Sequence, residues 1–207
     1  MIKAIIFDLD GVLIDATEWH YEALNRALQL FGFEITRDMH LNDYNGLPTR
    51  KKLKMLAEQR GFPLALTDFT NDIKQIYTQD VINNKCKPSF DKEYMLAKLE
   101  QEGYVLAVCS NSIKENVERM LKKAGIFHFF KAIVGNDEGY PSKPDPTMYI
   151  ETMKKLNLNK EDVIIVEDAP HGIKAAKDSG ANVCEVKGFY EVNYDKIKNF
   201  VKDVQND

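Results

Sequence analysis

The strongest constraint on the fold lies near the N-terminus, where an apolar run from Ile2 to Phe7 leads directly to two carboxylates, Asp8 and Asp10. Branched apolar residues favour a buried strand, and a carboxylate that continues such a strand needs a partner for its charge. A hard divalent cation is the simplest partner because it binds oxygen ligands. Gly11 then permits a sharp turn of the chain. We therefore expect a metal and phosphate site where this first strand ends.

The composition of the 207-residue chain is that of a globular protein, with 44% hydrophobic and 29% charged residues. The formal net charge of -4 gives no support for the basic face that binding to DNA or RNA needs, so we expect no nucleic-acid partner. The apolar stretch before Asp8 is too short for a signal peptide, and no run approaches the ~18 apolar residues of a membrane helix. We therefore expect a cytoplasmic protein without a membrane partner.

The three cysteines, Cys86, Cys109 and Cys184, are odd in number and form no CxxC pair. Two of them fall in apolar runs, which favours small buried hydrophobic residues in a reducing compartment. A catalytic cysteine at Cys109 is the alternative, because this residue precedes the polar pair Ser110–Asn111.

Short apolar runs alternate with helical patterns along most of the chain. The runs predict strands at Ala4–Phe7, Tyr104–Cys109, Ala132–Val134, Val163–Val166 and Val183–Val186. The patterns between them predict helices at Phe90–Gln101, Ser112–Ala124, Pro146–Leu156 and Ala169–Ser179. This alternation is typical of an α/β fold with a doubly wound, mostly parallel sheet.

One interval is too long for a single crossover, since more than ninety residues separate Asp10 from the strand that begins at Tyr104. Apolar residues at helical spacing indicate that the surplus is helical, as at Trp19, Ala23 and Ala27. We predict a core domain of residues 1–15 and 85–207 and an inserted small α-helical cap domain of residues 16–84. A segment inserted just after the aspartate pair is suited to act as a lid that excludes water.

Polar side chains follow four of the predicted strands, at the point where each apolar run stops. Parallel strands place their carboxyl ends at one edge of the sheet, where ligands bind in folds of this class. We therefore expect one site to contain Asp8 and Asp10, Ser110 and Asn111, Lys143, and Glu167 and Asp168.

This combination of carboxylates, an ammonium group and hydroxyl and amide donors suits phosphoryl transfer. A carboxylate can attack phosphorus and form an aspartyl-phosphate, provided that a divalent cation and a lysine offset the repulsion between the two anions. A second carboxylate must protonate the leaving alkoxide and then activate water. The order and spacing of Asp8 and Asp10 suit a nucleophile and a general acid and base, respectively.

Four motifs occur in an order that is typical of one enzyme family. In chain order they are Asp8 to Leu13, Ser110, Ser142 to Pro146 and Glu167 to Ala176. Together they resemble those of the haloacid dehalogenase (HAD) superfamily of phosphohydrolases. The chain is similar to the subgroup with an α-helical cap, which includes beta-phosphoglucomutase and many sugar-phosphate phosphatases. The resemblance covers nearly the whole chain and implies a Rossmann-like core.

The resemblance implies a role for each residue of these motifs. Asp8 is the implied nucleophile and metal ligand, and Asp10 is the implied general acid and base, whose backbone carbonyl also binds the metal. The remaining implied ligands are Ser110, Asn111 and Lys143 for phosphate, and Glu167 and Asp168 for Mg²⁺. The dehalogenase branch lacks the second aspartate, so Asp10 favours phosphate esters over carbon–halogen bonds.

These motifs also have ordinary structural explanations. Asp8 and Asp10 are residues that form turns, and Lys143 between prolines suits a solvated loop. The pair Glu167 and Asp168 suits the N-terminus of a following helix, a role that is compatible with metal binding. The occurrence of all the motifs in order favours the catalytic interpretation.

Three residues of the predicted cap match family positions for which two explanations are open. A histidine at the position of His20 faces the active site in cap-bearing relatives, whereas helix histidines are commonly surface or packing residues. Gly46 and Arg50 match a cap loop that meets substrate in relatives. Gly46 also suits a turn, and Arg50 begins a basic cluster that suits a solvated helix face, unless its guanidinium binds an anionic group of the substrate.

Three functions are open on the sequence. The first is a Mg²⁺-dependent phosphatase for a small phosphorylated substrate, such as a phosphosugar, acting as a monomer or weak homo-oligomer. The second is a beta-phosphoglucomutase-like phosphomutase, although Asn45 and the run Ser110–Ile113 depart from the lysine and the Ser-x-Ser-Lys run of that enzyme. The third is an inactive binding protein, in which we would expect the loss of a motif residue, and none is missing.

Overall fold

The computed structural model describes residues 1–206, which divide into two compact units. One unit consists of Met1–Asp15 and the chain from Lys87 onward, and the other consists of Ala16–Cys86. All the strands of the described chain belong to the first unit, and the second unit is helical. The boundary predicted between residues 84 and 85 lies two residues before this division.

The helical unit packs around its own apolar core. Its helices are α1 (Thr17–Gln29), the single turn α2 (Arg37–Met39), α3 (Thr49–Arg60) and α4 (Thr67–Lys85). A π-helical turn, His40–Tyr44, continues α2, and a 3-10 turn, Leu64–Leu66, precedes α4. Leu24 and Leu28 of α1 and Leu53 and Leu56 of α3 are buried together with Tyr44. Their spacing of three or four residues is what places them on one face of each helix.

The other unit is built on a parallel sheet, as the alternation of apolar runs predicts. Its strands are β1 (Ala4–Phe7), β2 (Val105–Cys109), β3 (Phe130–Val134), β4 (Val163–Glu167) and β5 (Asn182–Glu185). Their order across the sheet is β3-β2-β1-β4-β5, and each neighbouring pair is parallel. The connection from β3 to β4 crosses to the other side of β1. The carboxyl ends of β1 and β4 therefore flank the switch point at which open sheets bind ligands.

Strand β1 occupies the centre of this sheet. All four of its residues are fully buried because both faces of a parallel sheet are covered. Ala4 and Ile6 belong to a core cluster with Met148 and Ala175. The alternation of side chains along a strand directs the other two residues to the opposite face.

Helices cover the sheet, and they include one that was not predicted. They are α5 (Phe90–Gln101), α6 (Lys114–Lys123), α7 (Thr147–Lys155), α8 (Pro170–Asp178) and α9 (Tyr194–Asn206), with 3-10 turns at Phe127–Phe129, Lys160–Asp162 and Phe189–Glu191. Helix α5 packs against α9, and α7 against α8. The predicted bounds of α5 are confirmed, whereas α6, α7 and α8 are one or two residues shorter at each end. Helix α9 was not predicted, although Ile197 and Val201 are buried at helical spacing.

Within residues 1–206, no helix combines the length and the apolar character that crossing a membrane requires.

The helical unit contains a buried histidine, His40, at the start of the π-helical turn. Its side chain is fully buried, and its Nε2 lies 2.9 Å from the carbonyl oxygen of Thr17, which can only accept a hydrogen bond. Burial, and next the positive charge of Lys52, lowers the pKa of His40 from 6.5 to about 4. The charge of His20 acts in the same direction, whereas Glu18 raises this pKa. The folded protein therefore holds His40 neutral.

We predict that the helical unit loses stability as the pH falls from about 6.5 to about 4. In this window the unfolded chain binds a proton at His40 that the folded chain excludes, so the free energy of unfolding rises with pH. The stabilisation is fully present above the unfolded pKa and is worth roughly 3 kcal/mol at most. Urea unfolding at several pH values, followed by the fluorescence of Trp19 in α1, measures it.

The matched control is His40→Gln, which keeps an amide donor near Thr17 but does not titrate. Its unfolding free energy should change less with pH than that of the wild type in the same window. Parallel pH profiles for the two proteins would contradict the prediction.

Candidate active site

Asp8 directly follows the carboxyl end of β1 and is buried. Its backbone N–H donates to the carbonyl of Val166 at 3.0 Å, which extends the pairing of β1 with β4 by one residue. The residue is 8% exposed. A carboxylate at such a position needs compensating charge or hydrogen-bond donors.

A tight turn directly follows Asp8 and fixes the direction of Asp10. The carbonyl of Leu9 accepts from the backbone N–H groups of Leu13 and Ile14, each at 2.9 Å, and the N–H of Gly11 donates to Ile14 at 2.7 Å. Gly11 has a φ of +90°, which glycine adopts without strain. A Cβ at this position would lie 2.2 Å from Oδ2 of Asp168. Glycine is therefore required both by the turn and by the close approach of the carboxylate of Asp168.

Lys143 supplies the compensating charge. Its Nζ lies 2.7 Å from Oδ1 of Asp8 and 2.7 Å from Oε1 of Glu167, and it donates to the carbonyl of Cys109 at 2.8 Å. The hydroxyl oxygen of Tyr149 lies 2.8 Å from the same nitrogen. The lysine is 3% exposed, so these contacts replace its hydration. We call this set of contacts the lysine network.

Both carboxylate oxygens of Glu167 accept hydrogen bonds, one within the lysine network and the other from backbone amides. Oε1 accepts from Lys143 and from the hydroxyl of Tyr149, the latter at 2.7 Å. Oε2 accepts from the backbone N–H groups of Asp168 and Ala169, at 3.1 and 3.4 Å. These amides precede α8, so the predicted interaction of an acid with this helix start is present alongside the contact with Lys143.

The charge balance of the site is negative. Burial, and then the charge of Glu167, raises the pKa of Asp8, and Lys143 offsets only part of this. Burial lowers the pKa of Lys143, but Asp8 and Glu167 outweigh it and the net pKa is raised. Burial, followed by the charges of Glu167 and Asp10, raises the pKa of Asp168 to about 7. Carboxylates outnumber ammonium groups here, so a bound cation would relieve their repulsion.

Three of these carboxylates fit a metal ion. Oxygens of Asp8, Glu167 and Asp168 lie within 4.8 Å of one another. Oδ1 of Asp168 is buried and has no hydrogen-bond partner among residues 1–206. Hard divalent cations such as Mg²⁺ bind oxygen ligands of this kind. Asp8 and Asp168 therefore suit direct ligation, whereas the occupied oxygens of Glu167 suit contact through water.

The polar residues Ser110, Asn111 and Ser112 directly follow the end of β2. The N–H of Ser110 donates to the carbonyl of Val134 at 3.0 Å, and this serine is 1% exposed. Oγ of Ser110 accepts from the N–H of Ser112 at 3.0 Å, and Oγ of Ser112 donates to Oδ2 of Asp10 at 2.9 Å. The structure thus brings the strand-end residues of β1, β2 and β4 together with Lys143, as the motifs predict.

Asn111 holds the backbone of Lys143. Its Oδ1 accepts from the N–H of Lys143 at 3.0 Å, and its Nδ2 donates to the carbonyl of the same residue at 3.3 Å. Asn136 donates in turn to the carbonyl of Asn111. These contacts place the side chain of Asn111 to orient the loop that carries Lys143, which we call the lysine loop. The peptide bond between Lys143 and Pro144 in this loop is cis.

The predicted cap residues lie in the helical unit. His20 is in α1, and its Nδ1 lies 3.4 Å from Nζ of Lys74. Gly46 follows the π-helical turn with a φ of +73°. Nε of Arg50 lies 3.0 Å from Oδ1 of Asp68, and both side chains are exposed. The positive φ of Gly46 is that of a turn, and Arg50 forms an ion pair at the surface.

Sequence reasoning missed two side chains of the site, Tyr149 and Ser112, and gave no separate role to Gly172. Tyr149 lies on the buried face of α7 beside Met148 and Met153, where periodicity predicts only packing. A Cβ at Gly172 would lie 1.8 Å from Oε1 of Glu167, so this glycine makes room for the lysine network.

The open alternative of a catalytic Cys109 is excluded by its surroundings. Its thiol is fully buried, and burial raises its pKa to about 12. A thiol in that state is not a nucleophile near neutral pH. All three cysteines are buried and form no disulfide within residues 1–206, as expected for small apolar side chains.

We predict that Gly172→Ala destabilises the protein. Alanine in a helix interior is ordinarily more stable than glycine by about 0.5–1 kcal/mol. Here the methyl group must displace Glu167, and overpacking of this kind costs about 1–3 kcal/mol. Thermal unfolding measures the change, with Lys174→Ala at an exposed position of the same helix as the control. A higher melting temperature for Gly172→Ala would contradict the geometry.

Comparison with known proteins identifies the family of the chain. A family described as haloacid dehalogenase-like hydrolase matches residues 5–186. A phosphorylated carbohydrates phosphatase from Thermotoga maritima is 30% identical over 183 residues, which cover 86% of this chain and 82% of that protein. A beta-phosphoglucomutase from Bacillus subtilis is 28% identical over 193 residues, with coverage of 86% and 80%.

The fold also matches a solved structure over its full length. A beta-phosphoglucomutase from Clostridium difficile superposes with a TM-score of 0.85 and 22% identity, covering 100% of both chains. At this identity the match concerns the fold alone, and it confirms the predicted α/β core with a helical insertion. The predicted enzyme class, a phosphoric monoester hydrolase, agrees with the phosphatase names among the relatives. The chain belongs to the haloacid dehalogenase-like hydrolase family.

Proposed function

We propose that the protein is a Mg²⁺-dependent phosphatase that hydrolyses a small phosphate monoester, with phosphosugars as the substrate class. The observation that carries this proposal is the buried pair of Asp8 and Lys143, 2.7 Å apart at the switch point of the sheet. The carboxylate is a nucleophile for phosphorus, and the ammonium group offsets charge on the transferred phosphoryl oxygens. The phosphatase relative from Thermotoga maritima supports the substrate class.

The first step of the proposed reaction forms an aspartyl-phosphate. A carboxylate oxygen of Asp8 attacks phosphorus while the bond from phosphorus to the ester oxygen breaks. Asp10 gives its proton to that leaving oxygen, so the product alcohol departs neutral. Ser110, Asn111 and Lys143 are the proposed hydrogen-bond donors to the phosphoryl oxygens, and the side chain of Asn111 also keeps the lysine loop in place.

The second step regenerates the enzyme. Asp10, now a carboxylate, removes a proton from a water molecule as its oxygen attacks the phosphorus of phospho-Asp8. The bond between Asp8 and phosphorus breaks, and inorganic phosphate leaves. Asp8, Asp168 and the backbone carbonyl of Asp10 would hold a Mg²⁺ ion, whose positive charge would lower the repulsion between nucleophile and phosphate. Glu167 would help to hold this ion through water.

The helical unit acts as a lid in this proposal. The chain leaves the strand-containing unit after Asp15, five residues beyond Asp10, and returns at Lys87. A lid attached beside the catalytic aspartates can exclude water while substrate is bound. His20, Gly46 and Arg50 belong to this unit, and we propose them as residues that meet substrate.

A phosphomutase is the second candidate, favoured by the 28% identity to a beta-phosphoglucomutase. It would use the same nucleophile but return the phosphoryl group to a second hydroxyl of the sugar. Asn45 and the run from Ser110 to Ile113 depart from the pattern of that enzyme, which supports the phosphatase.

The proposed cellular setting is the cytoplasm, with the protein acting as a monomer or weak homo-oligomer on a small phosphorylated substrate. The three buried cysteines, which form no disulfide within residues 1–206, support a reducing compartment.

We predict Mg²⁺-dependent phosphate release from a few members of a panel of small phosphate monoesters. Asp8→Asn should abolish it because the amide is not a nucleophile, and chelation should suppress it in the wild type. Asp10→Ala should lower turnover by about 10²–10⁴-fold because it removes proton transfer. The assay is inorganic phosphate release, run beside conversion of a hexose 1-phosphate with traces of its bisphosphate.

The matched control is Asp15→Asn, which changes an exposed carboxylate of the same segment whose partner is Tyr190. It should retain wild-type turnover. Full activity of Asp8→Asn would remove this residue from the mechanism, and isomerisation without phosphate release would favour the mutase.

A further inference from the structure

A serine that none of the motif roles includes contacts the proposed general acid and base. Oγ of Ser112 donates to Oδ2 of Asp10 at 2.9 Å, across 102 positions of the sequence. The pair is partly buried, so the hydrogen bond is shielded from water to that extent. A hydroxyl aimed at one oxygen restricts the rotation of the carboxylate.

The backbone of Ser112 is itself fixed on both sides. Its N–H donates to Oγ of Ser110 at 3.0 Å. Its carbonyl accepts from the N–H of Asn136 at 3.1 Å. The hydroxyl that reaches Asp10 therefore starts from an anchored backbone near the end of β2.

We propose that Ser112 is a positioning residue that holds Asp10 in the orientation needed for proton transfer to the leaving group. This inference rests on the proposed phosphatase function and refines it. Ser112 acts through Asp10, so its effect should appear only in steps where Asp10 moves a proton.

The energetics of the hydrogen bond favour this role. When Asp10 protonates the leaving oxygen, it changes from a neutral acid to a carboxylate. The hydroxyl of Ser112 keeps its own proton and donates to Oδ2 in both states. A hydrogen bond to an ionised acceptor is about twice as strong as one to a neutral acceptor. The contact therefore strengthens as the proton leaves Asp10 in the first step, and an interaction that strengthens toward the transition state accelerates that step.

The test compares leaving groups. An alkyl alkoxide needs protonation as it departs, whereas p-nitrophenolate leaves readily without it. Ser112→Ala should lower kcat/KM for the best alkyl phosphate by roughly 10-fold, the loss of one hydrogen bond to a charged group. It should change kcat/KM for p-nitrophenyl phosphate by less than about twofold, because that step does not use the acid. Ser112→Thr, which keeps the hydroxyl, should restore most of the alkyl-phosphate activity.

A double-mutant cycle separates positioning from a general structural effect. In an Asp10→Ala background, Ser112→Ala should cause no further loss with the alkyl phosphate, because its target is gone. Ser89→Ala, which removes a hydroxyl from the loop before α5, is the matched control and should leave both substrates unaffected. Thermal unfolding of each variant checks that the fold is intact.

Equal losses for both substrates, or a further 10-fold loss in the Asp10→Ala background, would overturn the role of Ser112 while leaving the phosphatase standing. No metal-dependent phosphate release by the wild type from any ester would overturn the proposed function and this role with it. Wild-type selectivity between the two substrates in Ser112→Ala would also contradict the proposal.

Discussion

The buried ammonium group of Lys143, placed between the carboxylates of Asp8 and Glu167, is the interaction on which the site depends. Each contact is 2.7 Å long, and the three side chains are almost fully withdrawn from water. Removing one partner from such a set leaves an uncompensated buried charge, which costs about 3–5 kcal/mol. The surrounding residues therefore matter through what they do for this lysine. The carbonyl of Cys109 accepts a further hydrogen bond from this lysine, and the hydroxyl of Tyr149, 2.8 Å from its Nζ, donates to Glu167.

The same interaction explains why the site suits an anion that arrives with a cation. Burial raises the pKa of Asp8 and of Asp168. The neighbouring carboxylates raise both values further, because the site has more carboxylates than ammonium groups. A divalent cation beside Asp8 and Asp168 would lower the pKa of both carboxyl groups, and it would also attract phosphate. The crossing of the chain from β3 to β4 is what places these acids next to each other. Topology thus sets the chemistry, because the acids come from strands that are adjacent in space but distant in sequence.

Much of this arrangement was predictable from sequence, because apolar runs mark the strands and polar residues mark where they stop. Asp8, Lys143 and Asp168 converge as expected. Tyr149 was not predictable, because its place on the buried face of α7 has the same periodicity as packing residues. The contact between Ser112 and Asp10 joins residues 102 positions apart, and it depends on side-chain rotation that local patterns do not encode.

The helical unit shows the same division between pattern and detail. Helical spacing predicted that this unit is helical, and the length of the interval after Asp10 predicted an insertion. The π-helical turn at His40–Tyr44 and the burial of His40 follow from packing within this unit. The ion pair of Arg50 with Asp68 likewise depends on how α3 and the start of α4 meet, which the basic cluster alone does not reveal.

The most direct test of the account is to locate the covalent intermediate. An Asp10→Asn variant should slow hydrolysis of the phosphoenzyme, so p-nitrophenyl phosphate, whose leaving group departs without the acid, should leave a phosphoryl group on the protein in the presence of Mg²⁺. Borohydride reduction converts an aspartyl-phosphate to homoserine, which peptide mass spectrometry locates. The account predicts homoserine at position 8, and Asp8→Asn combined with Asp10→Asn should show none. A modified residue elsewhere, or turnover without any phosphoenzyme, would contradict Asp8 as the nucleophile.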